Sequence, residues 1–423
     1  MTYQTNLLAA GWISSLWGVV LAIGILLAMV TVHEFGHYIV GKVLGFKINE
    51  FSVGFGPALY KKRSKKTGEL FALRIVPLGG YCAFDGEDED DETDGENSEQ
   101  TPTGETQIPF AEMQQGTGRV ETNAKTDEKT DAEPSAEQED EYPEPKGERF
   151  NDQPAWKRIL VLLAGATMNY LLALILIVAM FAGIGRPLYS VVVEKPEQDT
   201  AAVSAVQAAR GLGLQTGDVV LKINGKNVYL ITDYIDALNG EKAGTEIPVV
   251  VLSEGTEQTR TLVLAQDANF ANMSDTQTLL KAMNIYGLYT VTQRQGFFPA
   301  IGHSFAYSFK IGGTVLRSLG ELLTGKLGLS AMGGPVTTIS ITAQAATSGL
   351  ASFLNIAAFI GVNLAVFNLL PVPALDGCKV IFCIIEWIRK KPVNRKVEAI
   401  INLVGIIFLF GFAILVDLLQ LIW

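Results

Sequence analysis

The sequence predicts an α-helical membrane protein with four transmembrane helices, a β-hairpin and one extracytoplasmic α+β domain. Three observations predict it. Four apolar stretches, Leu16 to about Val40, Ile159 to about Ile184, Leu350 to about Ile385 and Ala399 to about Val416, approach or exceed the ~20 residues that cross a ~30 Å hydrocarbon core. Residues 187–292 return to soluble composition between the second and third stretches. Basic clusters at Lys61-Lys62-Arg63-Ser64-Lys65-Lys66, at Lys157-Arg158 and at 389–396 fall on one side of the four crossings. The positive-inside rule makes that side the cytoplasm and places both termini and residues 187–292 outside it.

Residues 1–45 carry the first span; its apolar run from Leu16 to Thr31 holds no charge. Lacking a basic leader and too long for a signal-peptide core, it reads as a retained span. Residues 46–84 read as a hairpin, with a strand from Phe46 to Val53, a turn at Gly54-Phe55-Gly56-Pro57 and a strand from Leu70 to Pro77. Residues 85–148 hold 23 acidic and 4 basic residues. Such a segment buries too little apolar surface to offset its ordering entropy and is expected to be a disordered cytoplasmic insert without chemistry. It contributes −19 to a total charge of −11, so the rest of the chain is mildly basic at +8. No basic, aromatic-interleaved patch of the kind nucleic acids require is present.

Residues 149–186 carry the second span, opened by the interface anchors Trp156, Lys157 and Arg158. Gly165 and Ala166 within it permit close helix contact. Asn169 needs a hydrogen-bond partner there, as helix–helix glue or as part of a substrate site. In 187–292, strands are expected at Ser190–Glu194, Glu246–Leu252, Gln258–Ala265 and Ile285–Val291, a hairpin at Asn224-Gly225, a helix at Thr232–Leu238 and a polar connection over 267–282. Residues 293–349 carry an amphipathic pattern over Ile301–Leu323 that suits a helix at the membrane interface, then a turn at Gly333-Gly334-Pro335-Val336. His303 in this segment is not expected to bind metal. Residues 350–423 carry the last two spans, the third interrupted by Pro371, Pro373 and Gly377. Broken helix is tolerated at membrane depth where protein or a water-filled cavity satisfies the freed backbone groups.

The chemistry lies in two places inside apolar stretches. His33-Glu34-Phe35-Gly36-His37 is an H-E-x-x-H motif. Two imidazoles at i and i+4 share a helix face and can reach one metal ion, and the glutamate beside them can take a proton from a metal-held water. Ionisable groups at membrane depth cost ~2.5 kcal/mol or more each and face a partner or a cavity. Asp376 is the second such place. With His33 and His37 it completes the three protein ligands of a catalytic zinc, with Glu34 as general base. The cysteines, Cys82, Cys378 and Cys383, are odd in number and form no C-x-x-C pair, so neither a disulfide framework nor a zinc knuckle is indicated.

His33-Glu34-Phe35-Gly36-His37 in a first span, together with Asn368-Leu369-Leu370-Pro371-Val372-Pro373-Ala374-Leu375-Asp376-Gly377 in a third, resembles the site-2 protease family of intramembrane zinc metalloproteases. The pattern is most similar to the bacterial regulator-of-sigma-E protease type. The stretch from Gly211 to Lys226 resembles part of a PDZ domain, which that type carries between its second and third spans. The resemblance covers nearly the whole chain. It implies Zn2+ held by His33, His37 and Asp376, Glu34 as catalytic base, Asn368 as a substrate or transition-state contact, Asn169 as a second substrate-site candidate, and a membrane-associated hairpin beside the site. Ala166 stands where that family usually has proline, and Cys378 where it usually has a second glycine. The expected activity is endoproteolysis of transmembrane segments in the cell membrane, with membrane-anchored anti-sigma factors or remnant signal peptides as substrates and the bilayer as the surrounding partner. Two alternatives remain open: a membrane-anchored zinc protease acting on soluble segments, and a non-catalytic scaffold that presents a PDZ module.

Overall fold

The computed structural model describes residues 2–87, 142–193, 213–265, 276–283, 285–328 and 333–422. Four helices are long and apolar enough to cross a membrane, over Leu16–Leu44, Ala155–Gly183, Leu350–Asn368 and Arg395–Gln420. The first belongs to α1 (Thr2–Leu44), the second is α2 (Ala155–Gly183). The third apolar stretch divides, as its prolines dictate: α7 (Leu350–Asn368) ends, residues 369–375 break the helix, and α8 (Asp376–Arg389) resumes. The last is α9 (Arg395–Ile422).

After α1 the chain forms β1 (Ile48–Arg63) and β2 (Leu70–Phe84). The register shows that both strands bend. Ser52 of β1 lies opposite Tyr81 on one side and Ala72 on the other, while Lys61 also faces Ala72. Gly54-Phe55-Gly56-Pro57 is therefore a bend inside β1 rather than the expected hairpin turn. Gly54 and Gly56 take φ of 88° and 82° there, a region glycine enters without steric cost. The chain reverses at 64–69, where the Ser64 N–H donates to Glu69 O at 2.9 Å. The curled sheet packs on α1 through a cluster of Phe35, Tyr38, Phe51 and Phe71.

Most of the acidic insert, 88–141, lies outside the described residues. Its two ends are ordered, contrary to the expectation for the whole of 85–148. Asp85 pairs with Lys47 at 3.2 Å, and Glu148 accepts the Lys47 N–H at 2.8 Å and donates its own to Gly45 O at 3.0 Å. Burial alone would raise the Asp85 carboxyl, but hydrogen bonds from Asn49 and Lys47 outweigh it and hold the carboxyl below its ordinary range.

Between α2 and α7 stands a small α+β domain. It comprises β3 (Arg186–Val192), β4 (Val219–Ile223), β5 (Lys226–Asn227), α3 (Ile231–Leu238), β6 (Glu246–Ser253), β7 (Thr256–Val263), α4 (Thr276–Ala282) and β8 (Gly287–Gln293). The sheet runs β7-β6-β4-β3-β8, with β5 paired to β4 across the Asn224-Gly225 turn. Its core contains Val220, Ile223, Tyr234, Leu238, Val249 and Val251. The polar connection expected over 267–282 contains α4, which buries Leu279 and Ala282. Residues 211–212, part of the PDZ-like stretch, lie outside the described residues.

α5 (Phe297–Leu323) joins this domain to the spans. It buries Ala300, Ser304, Tyr307, Ile311 and Val315, the three-to-four-residue spacing of one helix face. Lys310 pairs with Asp233 of α3 at 2.6 Å, and the Tyr307 hydroxyl donates to Asn355 Oδ1 of α7 at 2.7 Å. The expected turn at Gly333-Gly334-Pro335-Val336 is instead the start of α6 (Pro335–Ser348), with the proline in the first helical turn where its missing N–H costs nothing. The three cysteines are buried and unpaired.

Candidate metal centre

The H-E-x-x-H motif occupies the last third of α1, and its helical spacing puts His33 and His37 on one face. Gly36 shares the side turned to α2. A Cβ there would lie 2.5 Å from Ala164 O, so the missing side chain lets the two helices touch. On α2, Gly165 faces the two imidazoles. A Cβ on it would lie 2.6 Å from His33 Cε1 and 2.8 Å from His33 Nδ1, and against His37 Nε2. Two glycines, one on each helix, thus make the space the rings occupy.

Asp376 comes from the break in the third stretch. It is the first residue of α8, whose N-cap is Leu375. Its carboxylate turns to the imidazoles: Oδ2 lies 3.0 Å from His33 Nε2 and 3.4 Å from His37 Nε2, and the two Nε2 atoms are 3.2 Å apart. Gly377 sets the tight start of α8, because a Cβ there would lie 2.6 Å from the Leu369 carbonyl carbon.

These three separations test the site for zinc. Tetrahedral ligands at ~2.0–2.1 Å from one ion are ~3.3 Å from each other. The triangle of two nitrogens and one carboxylate oxygen matches that edge on all three sides. Asp376 Oδ2 is also buried with no hydrogen-bond donor, an arrangement that a cation resolves. Among the described residues this is the one group of three His, Cys, Asp or Glu side chains that could hold a metal ion.

The surroundings orient the rings. His37 Nδ1 lies 2.8 Å from the Val161 carbonyl on α2, which fixes the proton on Nδ1 and turns the Nε2 lone pair to the centre. His33 Nδ1 has two amide neighbours at 3.4 Å, Asn169 Nδ2 and Asn368 Nδ2. Asn169 is 1% exposed, whereas Asn368 is half-buried. Glu34 follows His33 on α1 and lies toward β2; the Cβ position of Gly80 is 3.3 Å from Glu34 Cγ and 2.8 Å from Ser52 O. His303 lies apart from the centre, 3.1 Å from the Tyr229 hydroxyl in the α+β domain. Sequence reasoning brought His33, Glu34, His37, Asp376, Asn169 and Asn368 to one place. It missed the Val161 carbonyl, which no side-chain pattern reveals, and the closeness of Gly80.

Two histidines and a glutamate on a helix apolar enough to cross a membrane, with an aspartate from a helix break closing a metal-sized triangle, are the makings of a membrane metallohydrolase. The chain belongs to peptidase family M50, the site-2 protease family of zinc metalloproteases, whose model matches residues 21–412. It is 26% identical to the zinc metalloprotease RasP of Bacillus licheniformis over 90% of this chain and 93% of that protein. It is 28% identical to the regulator of sigma-W protease RasP of Bacillus subtilis over 90% of this chain and 92% of that one.

Proposed function

We propose that this zinc metalloprotease cleaves transmembrane segments of other membrane proteins within the bilayer. One observation supports the reading: His33 and His37 bring their metal-facing atoms together within a helix long and apolar enough to cross a membrane, and Asp376 joins them from the break just after another such helix. A protease of soluble segments would have little reason to place its ligands there, given the cost of ionisable groups in that setting.

In this reading His33 Nε2, His37 Nε2 and Asp376 Oδ2 hold the zinc. Bound zinc supplies a Lewis acid that lowers the pKa of a water to ~7. Glu34 would serve as the base that takes a proton from the attacking water and as the acid that returns it to the leaving amide nitrogen. Buried Asn169 holds His33 rather than touching substrate: turned so that Oδ1 accepts from Nδ1–H, it leaves the Nε2 lone pair for the metal. Half-buried Asn368 keeps an amide edge for the substrate backbone. Gly80 lets β2 lie close over Glu34.

The likeness to a protein named for regulating sigma-W supports membrane-anchored anti-sigma factors as substrates; remnant signal peptides fit the same site. The six-stranded sheet with two helices supports a PDZ-like module. The basic clusters support its extracytoplasmic placement, with the acidic insert in the cytoplasm and the chain multi-pass in the cell membrane. A module over the outer mouth would exclude substrates with bulky outer domains. The test is Glu34→Gln. That protein should fold and keep its zinc yet fail to cut a single-span peptide in liposomes, and undiminished cutting would refute the assignment of the base.

A further inference from the structure

The break that delivers Asp376 is strained, and its support comes from an unexpected helix. Ala374 has φ of 75°, one of four described non-glycine residues with positive φ. A side chain in that region is held there only when its surroundings over-determine it. The segment's own hydrogen bonds, Val372 N–H to Leu370 O at 2.8 Å and Leu375 N–H to Val372 O at 3.1 Å, leave the Ala374 N–H unserved. Its acceptor is Asn402 Oδ1 of α9, at 3.3 Å.

Three residues further along α9, on the same face, stands Gly405. A Cβ there would lie 2.7 Å from both the carbonyl carbon and the oxygen of Pro373. α9 is otherwise a helix of outward-facing apolar side chains. Gly405 and Val416 are its two buried residues among those described. Leu403, Val404, Ile407, Phe408 and Phe410 are exposed. The contact at Gly405 is therefore not part of a general helix seam. It is a local fit of a bare backbone to one proline, and Asn402 completes it with one hydrogen bond.

We infer that Asn402 and Gly405 are positioning residues for the zinc ligand Asp376: they brace Pro373 and Ala374 in the strained turn that aims its carboxylate at His33 and His37. The inference rests on Asp376 being a ligand. Asp376 follows Ala374 by two residues, and Gly377 is wedged against the Leu369 carbonyl. A shift of the 373–374 peptide is thus carried to the carboxylate rather than absorbed between them. Neither Asn402 nor Gly405 touches the metal-facing atoms, so the effect passes through the backbone.

The test follows zinc release from the purified full-length protein in detergent into a chromogenic chelator, with cleavage measured in parallel. Asn402→Leu and Gly405→Ala should each speed zinc release on the order of tenfold or more, as loss of supporting contacts around a metal site does. Leu403→Ala and Ile407→Ala, on the exposed face of the same helix, should release zinc at the parent rate. Ala374→Gly removes the penalty on positive φ. Combined with Gly405→Ala, it should restore slow release, a rescue that general damage to α9 would not show. Asp376→Ala separates the premises. If it keeps zinc at full stoichiometry, Asp376 is not a ligand and the reading beneath the inference falls. If it loses zinc while Asn402→Leu and Gly405→Ala release at the parent rate, the brace alone is overturned. Should Gly405→Ala fail to accumulate, the Ala374→Gly combination decides: recovery of folded, zinc-holding protein supports the brace, and continued failure refutes it.

Discussion

Gly165→Ala adds one methyl group to α2 at the back of the metal centre. The added carbon would sit 2.6 Å from His33 Cε1, 2.8 Å from His33 Nδ1, and against His37 Nε2. Carbon atoms in contact prefer ~3.5–4.0 Å, so either the rings or the helix must yield by about 1 Å. The helix resists, because Gly36 on α1 is already within van der Waals contact of α2 at Ala164. Overpacking of this kind costs ~1–3 kcal/mol. At ~1.4 kcal/mol per factor of ten, that is roughly a five- to hundredfold loss if the strain is relieved by displacing the imidazoles. The expected result is a weaker zinc site in a protein that still inserts and folds. Zinc content after dialysis against graded chelator, measured by mass spectrometry of the metal, reads the loss directly. Gly24→Ala is the control, since nothing lies within 4 Å of its Cβ position. Zinc affinity unchanged in Gly165→Ala would show that the rings do not take the strain, and would refute the placement of the ligands against α2.

Other expectations follow from the same geometry. Glu386→Ala should lower the thermal midpoint of the detergent-solubilised protein markedly. It strands Arg158, 2.6 Å from Glu386 and 6% exposed, and breaking such a buried pair costs ~3–5 kcal/mol; an unchanged midpoint would contradict this. Replacing 90–139 by a short flexible linker should leave folding and zinc intact. Extending the deletion through Glu148 should destabilise the protein, because Glu148 holds Lys47 and Gly45; equal stability of the two deletions would contradict the ordered ends. A cysteine at Lys65 should be protected from an impermeant thiol reagent in intact cells and one at Lys226 labelled, and the reverse pattern would invert the orientation.

Much of this arrangement could be read from the chain. The i, i+4 spacing of His33 and His37 is a property of one helix, and the prolines at 371 and 373 forecast the break that frees Asp376 from α7. The α+β domain announced its Asn224-Gly225 hairpin and its alternating strands. What escaped reading depends on contacts distant in sequence. Gly54 and Gly56 carry a turn's composition, but the bend they make is decided by where β2 crosses β1. Pro335 reads as a breaker until α6 is seen to start on it, with its second and third residues bound by Asp417 of α9, the Val336 N–H at 3.0 Å from Oδ2. The support of His37 by the Val161 carbonyl uses a group every residue possesses, so no side-chain pattern could mark it. Gly165 was legible as a helix-contact residue; that its partners are the two imidazoles was not.

In the proposed function, zinc held by His33, His37 and Asp376 serves the cutting of peptide bonds inside an apolar span. The most direct measurement is the position of the cut. A single-span peptide flanked by soluble segments, reconstituted in liposomes with the purified protein and zinc, should yield products whose new termini, read by mass spectrometry, lie within the apolar span. Cuts confined to the soluble flanks would contradict the claim.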